Sequence, residues 1–235
     1  MPSTRAPVPR DRVSEVYEQI RDLIVRGRVP PGARLIEAQI VERLGVSRTS
    51  VRAALQRLQQ EGYVQGALPG RRTRAVVTPL TSDDARELFG MVAEIEGLAA
   101  ERTAEIEEKA RRNVVRELTQ VNEEYLKASS APCPDRDLLF ALDTEFHRGY
   151  VVAGAGPRLL SLHDAIKPQI ERYIRIYQTA LTEAIQTSVI EHRAIVAEIA
   201  SGSGRGAQEA VRTNWRNAAE RLQVVIGSRG EAGNW

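Results

Sequence analysis

The stretch that decides the fold of the N-terminal third is Leu44-Gly45-Val46-Ser47-Arg48-Thr49-Ser50-Val51-Arg52-Ala53-Ala54-Leu55. Gly45 permits a tight turn, and Ser47 is a good N-cap for a helix over about residues 48–60. Helical spacing gives this helix one apolar face, formed by Val51, Ala54, Leu55 and Leu58. Polar residues cluster away from that face on the first turn: Ser47, Arg48, Thr49 and Arg52. This arrangement is typical of a recognition helix that presents its first residues to base edges in the major groove.

The segments before and after this motif complete a winged helix-turn-helix over residues 13–78. Apolar residues at spacings of three and four predict a helix from Val13 that stops at Gly27, and a short helix over about 37–44. Three short helices followed by a hairpin are the elements of that fold.

The hairpin is predicted from two β-prone runs, 62–66 and 74–78, with Gly70 supplying backbone freedom at the turn. Arg71 and Arg72 lie beside Gly70, so the tip of this wing is expected to approach the minor groove closely. Residues 1–12 are rich in Pro and Arg and are interpreted as a flexible tail.

Charge divides the chain in the same place as the fold. Residues 1–80 carry a net charge of +7 and residues 81–235 a net charge of −5. This asymmetry favours an N-terminal region, the head, that binds a polyanion and a C-terminal region, the body, with a different function. Arg supplies 30 of the 33 basic residues, which could indicate phosphate recognition but is better explained by genome base composition, because the acidic body is equally rich in Arg. The longest uncharged stretch is about nine residues, against roughly 20 for a membrane span. No apolar segment follows the N-terminal Arg residues and there is one cysteine, so we expect a cytoplasmic protein.

The body is predicted to be an antiparallel α-helical bundle over residues 83–227. A linker over 79–82 leads into it, where Thr81 and Asp84 have the spacing of a capping box. No strand pattern follows. Helices are predicted near 83–104, 106–128, 137–153, 157–181, 183–200 and 206–227. The segment 228–235 is expected to be frayed, and the fold class is therefore mainly α.

Polar residues on apolar helix faces indicate a site inside the body. Asp143 and His147 are four residues apart, so they project about 40° apart on a face that also carries Phe146 and Tyr150. His192 and Asn214 each lie on the apolar face of their own helix. Burying a carboxylate is expensive without a strong partner, so these side chains are expected to share one site. Asp and His together suit a divalent metal, although a hydrogen-bonded Asp–His pair without metal explains the same pattern.

The head resembles the GntR family of bacterial transcription regulators. The resemblance rests on Pro31-Gly32-x-x-Leu35 and on the run from Gly45 to Gly62, with Arg48, Arg52, Leu55 and Leu58 at the family's positions. It implies that Arg48 and Arg52 contact operator bases and that Gly70 is the glycine of the wing. A further DNA-reading Arg of some members falls near Ala38, so that contact is expected to be missing.

The body resembles the metal-binding FCD domain of the FadR branch of that family. The resemblance implies that Asp143, His147 and His192 hold one divalent metal, zinc first, with nickel or manganese as alternatives. The family's third His is replaced by Asn214, which either coordinates weakly through its carbonyl oxygen or bonds to a metal-bound water or effector. His163 does not fit the pattern and is interpreted as an ordinary surface or core histidine.

The family's effectors imply that the ligand is a small carboxylate. Arg172 and Arg175 are candidates to bind it, although either could equally lie at the solvated edge of its helix. The resulting hypothesis is a homodimeric repressor of catabolic genes that binds a palindromic operator on double-stranded DNA and no membrane. A metal-dependent hydrolase or lyase with a DNA-binding head remains the alternative, because three metal ligands leave an open position. An architectural DNA-binding protein with a purely structural bundle is the third possibility.

Overall fold

The computed structural model describes residues 12–66, 75–181 and 185–233, with only the backbone considered at 178–181. The chain divides into two compact units. The first runs to Leu80 and includes Ala232, and the second is Thr81–Glu231. Within the described residues, no helix combines the length and the apolar character of a membrane span.

The first unit contains three helices and three short strands. The helices are α1 (Arg12–Val25), α2 (Glu37–Leu44) and α3 (Arg48–Gln60). The strands are β1 (Arg34–Leu35), β2 (Val64–Gln65) and β3 (Ala75–Val77). The predicted apolar face of α3 is buried against α1, with Val51, Ala54 and Leu58 fully inaccessible to solvent.

The three strands form an antiparallel sheet in the order β1-β3-β2. The predicted hairpin runs pair through Val64 and Val77, while Arg34 pairs with Val76. Sequence analysis missed β1, because two residues are too few to show the alternation of a strand. The predicted turn with Gly70, Arg71 and Arg72 lies outside the described residues, so those three assignments stay predictions.

The C-terminal segment corrects one expectation. Residues 228–235 were expected to be frayed, but the last helix continues to Arg229, and Ala232 exchanges two backbone hydrogen bonds with Leu80, of 2.9 and 3.2 Å. Gly233 lies so close to Gly32 that a Cβ on Gly32 would be 2.8 Å from the Gly233 carbonyl oxygen. Tight backbone contacts of this kind have no hydrophobic period, so a sequence pattern does not reveal them.

The second unit is the predicted bundle of six helices within the described residues. They are α4 (Ser82–Glu105), α5 (Glu108–Ser129), α6 (Arg136–Gly154), α7 (Pro157–Leu181), α8 (Ile185–Ser201) and α9 (Gly204–Arg229). The predicted cap at α4 is present, since the Thr81 side chain accepts a hydrogen bond from the Asp84 backbone N–H at 3.2 Å. α4 packs along α9 and also contacts α6 and α7, which brings polar side chains from several helices into one core.

Candidate metal centre and nucleic-acid interface

The start of α3 forms the candidate nucleic-acid interface. Gly45 has φ of 64°, a left-handed conformation that glycine adopts without strain, and it turns the chain between α2 and α3. Ser47 caps α3 by accepting a hydrogen bond from the Ser50 backbone N–H at 3.1 Å. Arg48 and Thr49 are exposed beside it. The predicted DNA-facing residues of α3 are thus on the surface, opposite its buried face.

Arg52 has a partner that sequence analysis missed. Its Nε donates to Glu37 Oε2 at 2.9 Å, and the two side chains are 62% and 28% exposed. The contact leaves the terminal nitrogens of the guanidinium available for the two acceptors of a guanine edge. Because Glu37 lies on α2, fifteen residues earlier, no helical spacing could have revealed the pair.

The three predicted metal ligands of the body come together. Asp143 and His147 lie on adjacent turns of α6, and His192 comes from α8. Each offers one ligand atom, and these atoms lie within 4.8 Å of one another. Both histidines are buried, whereas the Asp143 side chain is 23% exposed. Two imidazoles and a carboxylate at this separation form a donor set that suits a divalent transition metal.

The second nitrogen of His192 provides a test of that fit. Asn122 donates its side-chain N–H to the Val189 carbonyl at 3.2 Å, which turns its Oδ1 towards His192 Nδ1, 3.1 Å away. His192 therefore donates from Nδ1 and keeps a lone pair on Nε2. That Nε2 is buried without a hydrogen-bond partner and lies 3.7 Å from Asp143 Oδ1. A buried acceptor without a partner is costly, and a bound cation would satisfy it.

Electrostatics keep His192 in the form that binds metal. Burial lowers the pKa of His192 well below its usual value, and the nearby His147 lowers it further. The imidazole is therefore neutral near pH 7, as coordination requires. Phe146 stacks on its ring with a centroid distance of 3.9 Å and holds it in place.

His147 is oriented by a carboxylate that sequence analysis did not single out. Its Nδ1 lies 2.7 Å from Oε2 of Glu96, a fully buried residue of α4. An imidazole held at Nδ1 by a carboxylate presents Nε2, which is the usual arrangement behind a metal-ligating histidine. Glu96 could have been found by the rule applied to Asp143, because it too lies among apolar helix neighbours, Val92 and Ala99 among them.

Glu96 is the centre of a buried polar cluster. Five side chains contact its two oxygens at 2.6–3.2 Å: His147, Tyr150, His163, Lys167 and Trp215. Burial alone would raise the pKa of Glu96, but Lys167 and His147 outweigh it and hold that pKa well below its usual value. Glu96 is therefore a buried anion, and His163, interpreted from sequence as an ordinary histidine, is one of its partners.

Asn214 stands beside the triad and is held by Glu191. Its Nδ2 donates to Glu191 Oε2 at 2.9 Å, which leaves the carbonyl oxygen as its remaining acceptor. Asn214, Asp143 and His147 line one cavity, which has a volume of about 100 Å³. The other polar residues of the lining are Tyr125, Ser188 and Arg221. Its apolar wall includes Phe89, Leu139, Phe140, Ile174, Trp215 and Leu222.

The structure places neither Arg172 nor Arg175, the arginines proposed for the effector, in the lining of this cavity. Arg172 is buried and donates to Gln169 Oε1 at 3.1 Å. The Arg175 guanidinium lies over the Phe140 ring at 3.8 Å and is 3.5 Å from Asp137. Arg221 of α9 lines the cavity instead. The choice of α7 rested on two arginines beside apolar residues, a pattern that does not reveal the side on which a cavity opens.

Comparison with known proteins identifies the class to which this arrangement belongs. Residues 12–74 match the family described as bacterial regulatory proteins, gntR family, and residues 87–217 match the FCD domain. The chain belongs to the GntR family of transcriptional regulators and carries an FCD domain. The matching families and relatives are DNA-binding regulators, not enzymes, so the alternative of a hydrolase or lyase is dropped.

Two relatives and one solved structure illustrate the similarity. An HTH-type transcriptional regulator in the TAR-I ttuE-ttuC' intergenic region of Agrobacterium vitis is 33% identical, covering 61% of this chain and 81% of that protein. The "Probable D-xylose utilization operon transcriptional repressor" of Paenarthrobacter nicotinovorans is 27% identical, covering 83% and 84%. The structure of McbR/YncC from E. coli shares the fold with a TM-score of 0.65 at 16% identity, covering 90% and 97%.

Proposed function

We propose that this regulator is a repressor of catabolic genes that senses a small carboxylate at a divalent metal held by Asp143, His147 and His192. The observation that carries the proposal is the buried Nε2 of His192, which lacks a hydrogen-bond partner and faces Asp143 across 3.7 Å. Zinc is the expected ion, and nickel or manganese would use the same donors. Membership of the FadR branch is part of the proposal.

Three protein ligands leave coordination positions for water or an effector carboxylate. Asp143 is the partly exposed member of the triad, so the open positions are expected on its side, towards the cavity. The Asn214 carbonyl oxygen lines the same cavity and is proposed to contact a metal-bound water or the effector rather than to serve as a strong ligand. A metal at this position would supply positive charge for binding an anion.

On the DNA side, Arg48 and Arg52 are proposed to read bases, with Ser47 and Thr49 contacting phosphates. One head reads too few bases to select a site, so a homodimer on a palindromic operator is proposed. The wing residues Gly70, Arg71 and Arg72 are proposed to add minor-groove and phosphate contacts. The assignment as a repressor is supported by the name of the Paenarthrobacter relative. Because the proposed target is genomic DNA, the protein is also proposed to act in the cytoplasm.

The metal is tested on the full-length protein purified without chelator at neutral pH. Elemental analysis should find about one zinc, nickel or manganese per chain, and chelation should lower the melting temperature of the body. At free metal about 100 times the dissociation constant, binding stabilises the folded state by about 2.7 kcal/mol. His147→Ala and His192→Ala should abolish the metal-dependent shift, while Glu145→Ala, at an exposed position of α6, should keep it.

The regulatory part is tested by sequencing the DNA fragments that the protein retains, followed by gel shifts with a panel of carboxylates. A palindromic site bound by two chains and a carboxylate that alters its binding only when metal is present are the expected results. A protein that holds no metal and shows no melting shift with zinc, nickel or manganese would contradict the metal site. Binding that ignores both DNA sequence and every carboxylate would instead favour the architectural role.

A further inference from the structure

The cavity next to the triad is lined by a few polar and many apolar side chains, and this composition restricts which carboxylate fits. The inference rests on the proposed function, because it takes a metal-held carboxylate as its starting point. Asp143, His147 and Asn214 are among its polar residues, and eight of its fourteen lining residues are apolar, with Phe89, Trp215 and Leu222 among them. Binding cavities are commonly apolar with a few placed polar groups that fix orientation.

Trp215 is a fixed aromatic surface directly beside the metal ligands. Its ring centroid lies 4.8 Å from that of His147, and its edge packs against Phe89 at 5.6 Å with an interplanar angle of 79°. The indole Nε1–H donates to Glu96 Oε2 at 2.8 Å. The single polar group of the ring is used in that bond, and the Lys167 ammonium lies over the ring, 4.3 Å from its centroid. Trp215 therefore offers an incoming ligand the part of its apolar surface that Lys167 does not cover.

The charged groups of the lining are similarly committed. Arg221 donates to both oxygens of Glu191, at 2.9 and 3.1 Å, and Asn214 donates to the same carboxylate. The positive charge of Arg221 is therefore neutralised by a bidentate partner, and a second anionic group on a ligand would have to displace Glu191.

We infer that the effector is a monocarboxylate with an aromatic or compact alkyl body, and not a polyhydroxylated sugar acid or a dicarboxylate. Its carboxylate lies at the triad and its body lies against Trp215, Phe89 and Leu222. The lining offers a sugar acid two hydroxyl groups, those of Tyr125 and Ser188. The remaining hydroxyl groups of such a ligand would lose water against apolar side chains, which weakens binding. The second charge of a dicarboxylate would find Arg221, the arginine of the lining, already paired with both oxygens of Glu191.

The test is isothermal titration calorimetry of the zinc-loaded, full-length protein. Three monocarboxylates with apolar bodies, benzoate, phenylacetate and 4-methylpentanoate, are compared with gluconate, xylonate and succinate. At least one of the three apolar monocarboxylates should bind with an affinity at least about tenfold higher than that of gluconate, xylonate or succinate. Phenylacetamide, which has the shape of phenylacetate without its charge, should bind at least about tenfold more weakly than phenylacetate.

A pair of neighbouring variants locates the body of the ligand. Ala218 lines the cavity, whereas Ala219 is not among the lining residues. Ala218→Met should fill space beside Trp215 and weaken the best monocarboxylate about tenfold or more, while zinc content stays at the wild-type level. Ala219→Met, at a position of similar exposure on the same helix, should leave both binding and zinc content unchanged.

The outcomes separate this inference from the proposed function. Tighter binding of gluconate, xylonate or succinate would overturn the ligand class while leaving a metal-dependent carboxylate sensor in place. Equal binding of phenylacetate and phenylacetamide would show that the carboxylate is not held at the triad and would contradict both. Equal effects of Ala218→Met and Ala219→Met would contradict the placement of the ligand body against Trp215.

Discussion

The head and the body of this regulator build their sites in opposite ways. In the head, the candidate DNA-reading side chains lie on the exposed first turns of one helix, within six consecutive residues from Ser47 to Arg52. In the body, the triad and its supporting carboxylate come from α4, α6 and α8, and Glu96 accepts a hydrogen bond from Trp215, 119 residues away. A site made by one helix turn is readable as a motif, whereas a site made by packing depends on which helices meet.

The two sites also differ in how strongly they depend on stability. Residues such as Arg48 and Arg52 are solvated and can be changed with little cost to folding. Glu96, His147 and His192 are buried, so the same contacts that position the ligands also hold the bundle together. Substitutions in the body should therefore change stability and ligand binding together, while substitutions on α3 should change DNA binding alone.

The largest expected effect is on the stability of the body. Glu96→Gln removes a buried negative charge and leaves Lys167 without its ionic partner, which should lower the free energy of unfolding by about 3–5 kcal/mol. Urea unfolding followed by circular dichroism, with chelator present so that metal loss does not contribute, measures it. Glu94→Gln on the same helix, where the side chain is 61% exposed, should cost less than about 1 kcal/mol. Similar losses in the two variants would contradict the contrast between buried and exposed sites.

The second prediction concerns the head. Arg48→Ala and Arg52→Ala should each weaken binding to the specific operator by about 1–3 kcal/mol, with far less effect on unrelated DNA. The melting temperature should stay within a degree or two of wild type, because both side chains are exposed. Fluorescence anisotropy on specific and random duplexes measures this, with Gln60→Ala at the far end of α3 as a control. Equal losses on both duplexes would reassign these arginines to phosphate contacts.

Sequence analysis was most reliable where a pattern repeats. The nine helices of the described residues were predicted from apolar spacing and caps, and Asp143, His147 and His192 were grouped because polar residues on apolar faces need partners. Glu96 obeys the same rule and was overlooked, so that omission was avoidable. The pairing of Arg221 with Glu191 could not be predicted from sequence, since the two residues are 30 positions apart on different helices and only the packing of α8 on α9 selects the partner.

The third prediction concerns metal affinity in the body. It uses Asn214, the position where the body departs from the metal-binding pattern of its family. Asn214→His adds an imidazole beside the triad and should tighten zinc binding about tenfold or more, since imidazole is a much better ligand than an amide oxygen. It also removes one of the donors to Glu191, at 2.9 Å, so Asn217→Ala, which removes another at 2.8 Å, is the matched control. Competition with a zinc chelator measures the affinity. Unchanged affinity in Asn214→His would place residue 214 away from the metal.

The smallest expected effect returns to the head, where one ion pair links α2 to the recognition helix. Glu37 and Arg52 are bonded at 2.9 Å on the surface, so the pair itself should contribute about 0.2–1 kcal/mol to stability. Its proposed importance is orientation: Glu37 holds Arg52 through Nε and leaves the terminal nitrogens directed outward. Glu37→Ala should therefore lower discrimination between the operator and a site with one changed guanine, while binding to random DNA stays the same or tightens slightly as a negative charge is lost.

A double-mutant cycle decides whether Glu37 acts through Arg52. Operator binding is measured for Glu37→Ala, Arg52→Ala and the double variant, with Glu42→Ala, an exposed acidic residue of the same helix, as a control for charge alone. If Glu37 orients Arg52, the loss of discrimination caused by Glu37→Ala should disappear once Arg52 is absent, and Glu37→Gln, which still accepts a hydrogen bond, should recover part of it. Strictly additive losses in the double variant would show that Glu37 contributes independently and that the local motif on α3 reads DNA without support from α2.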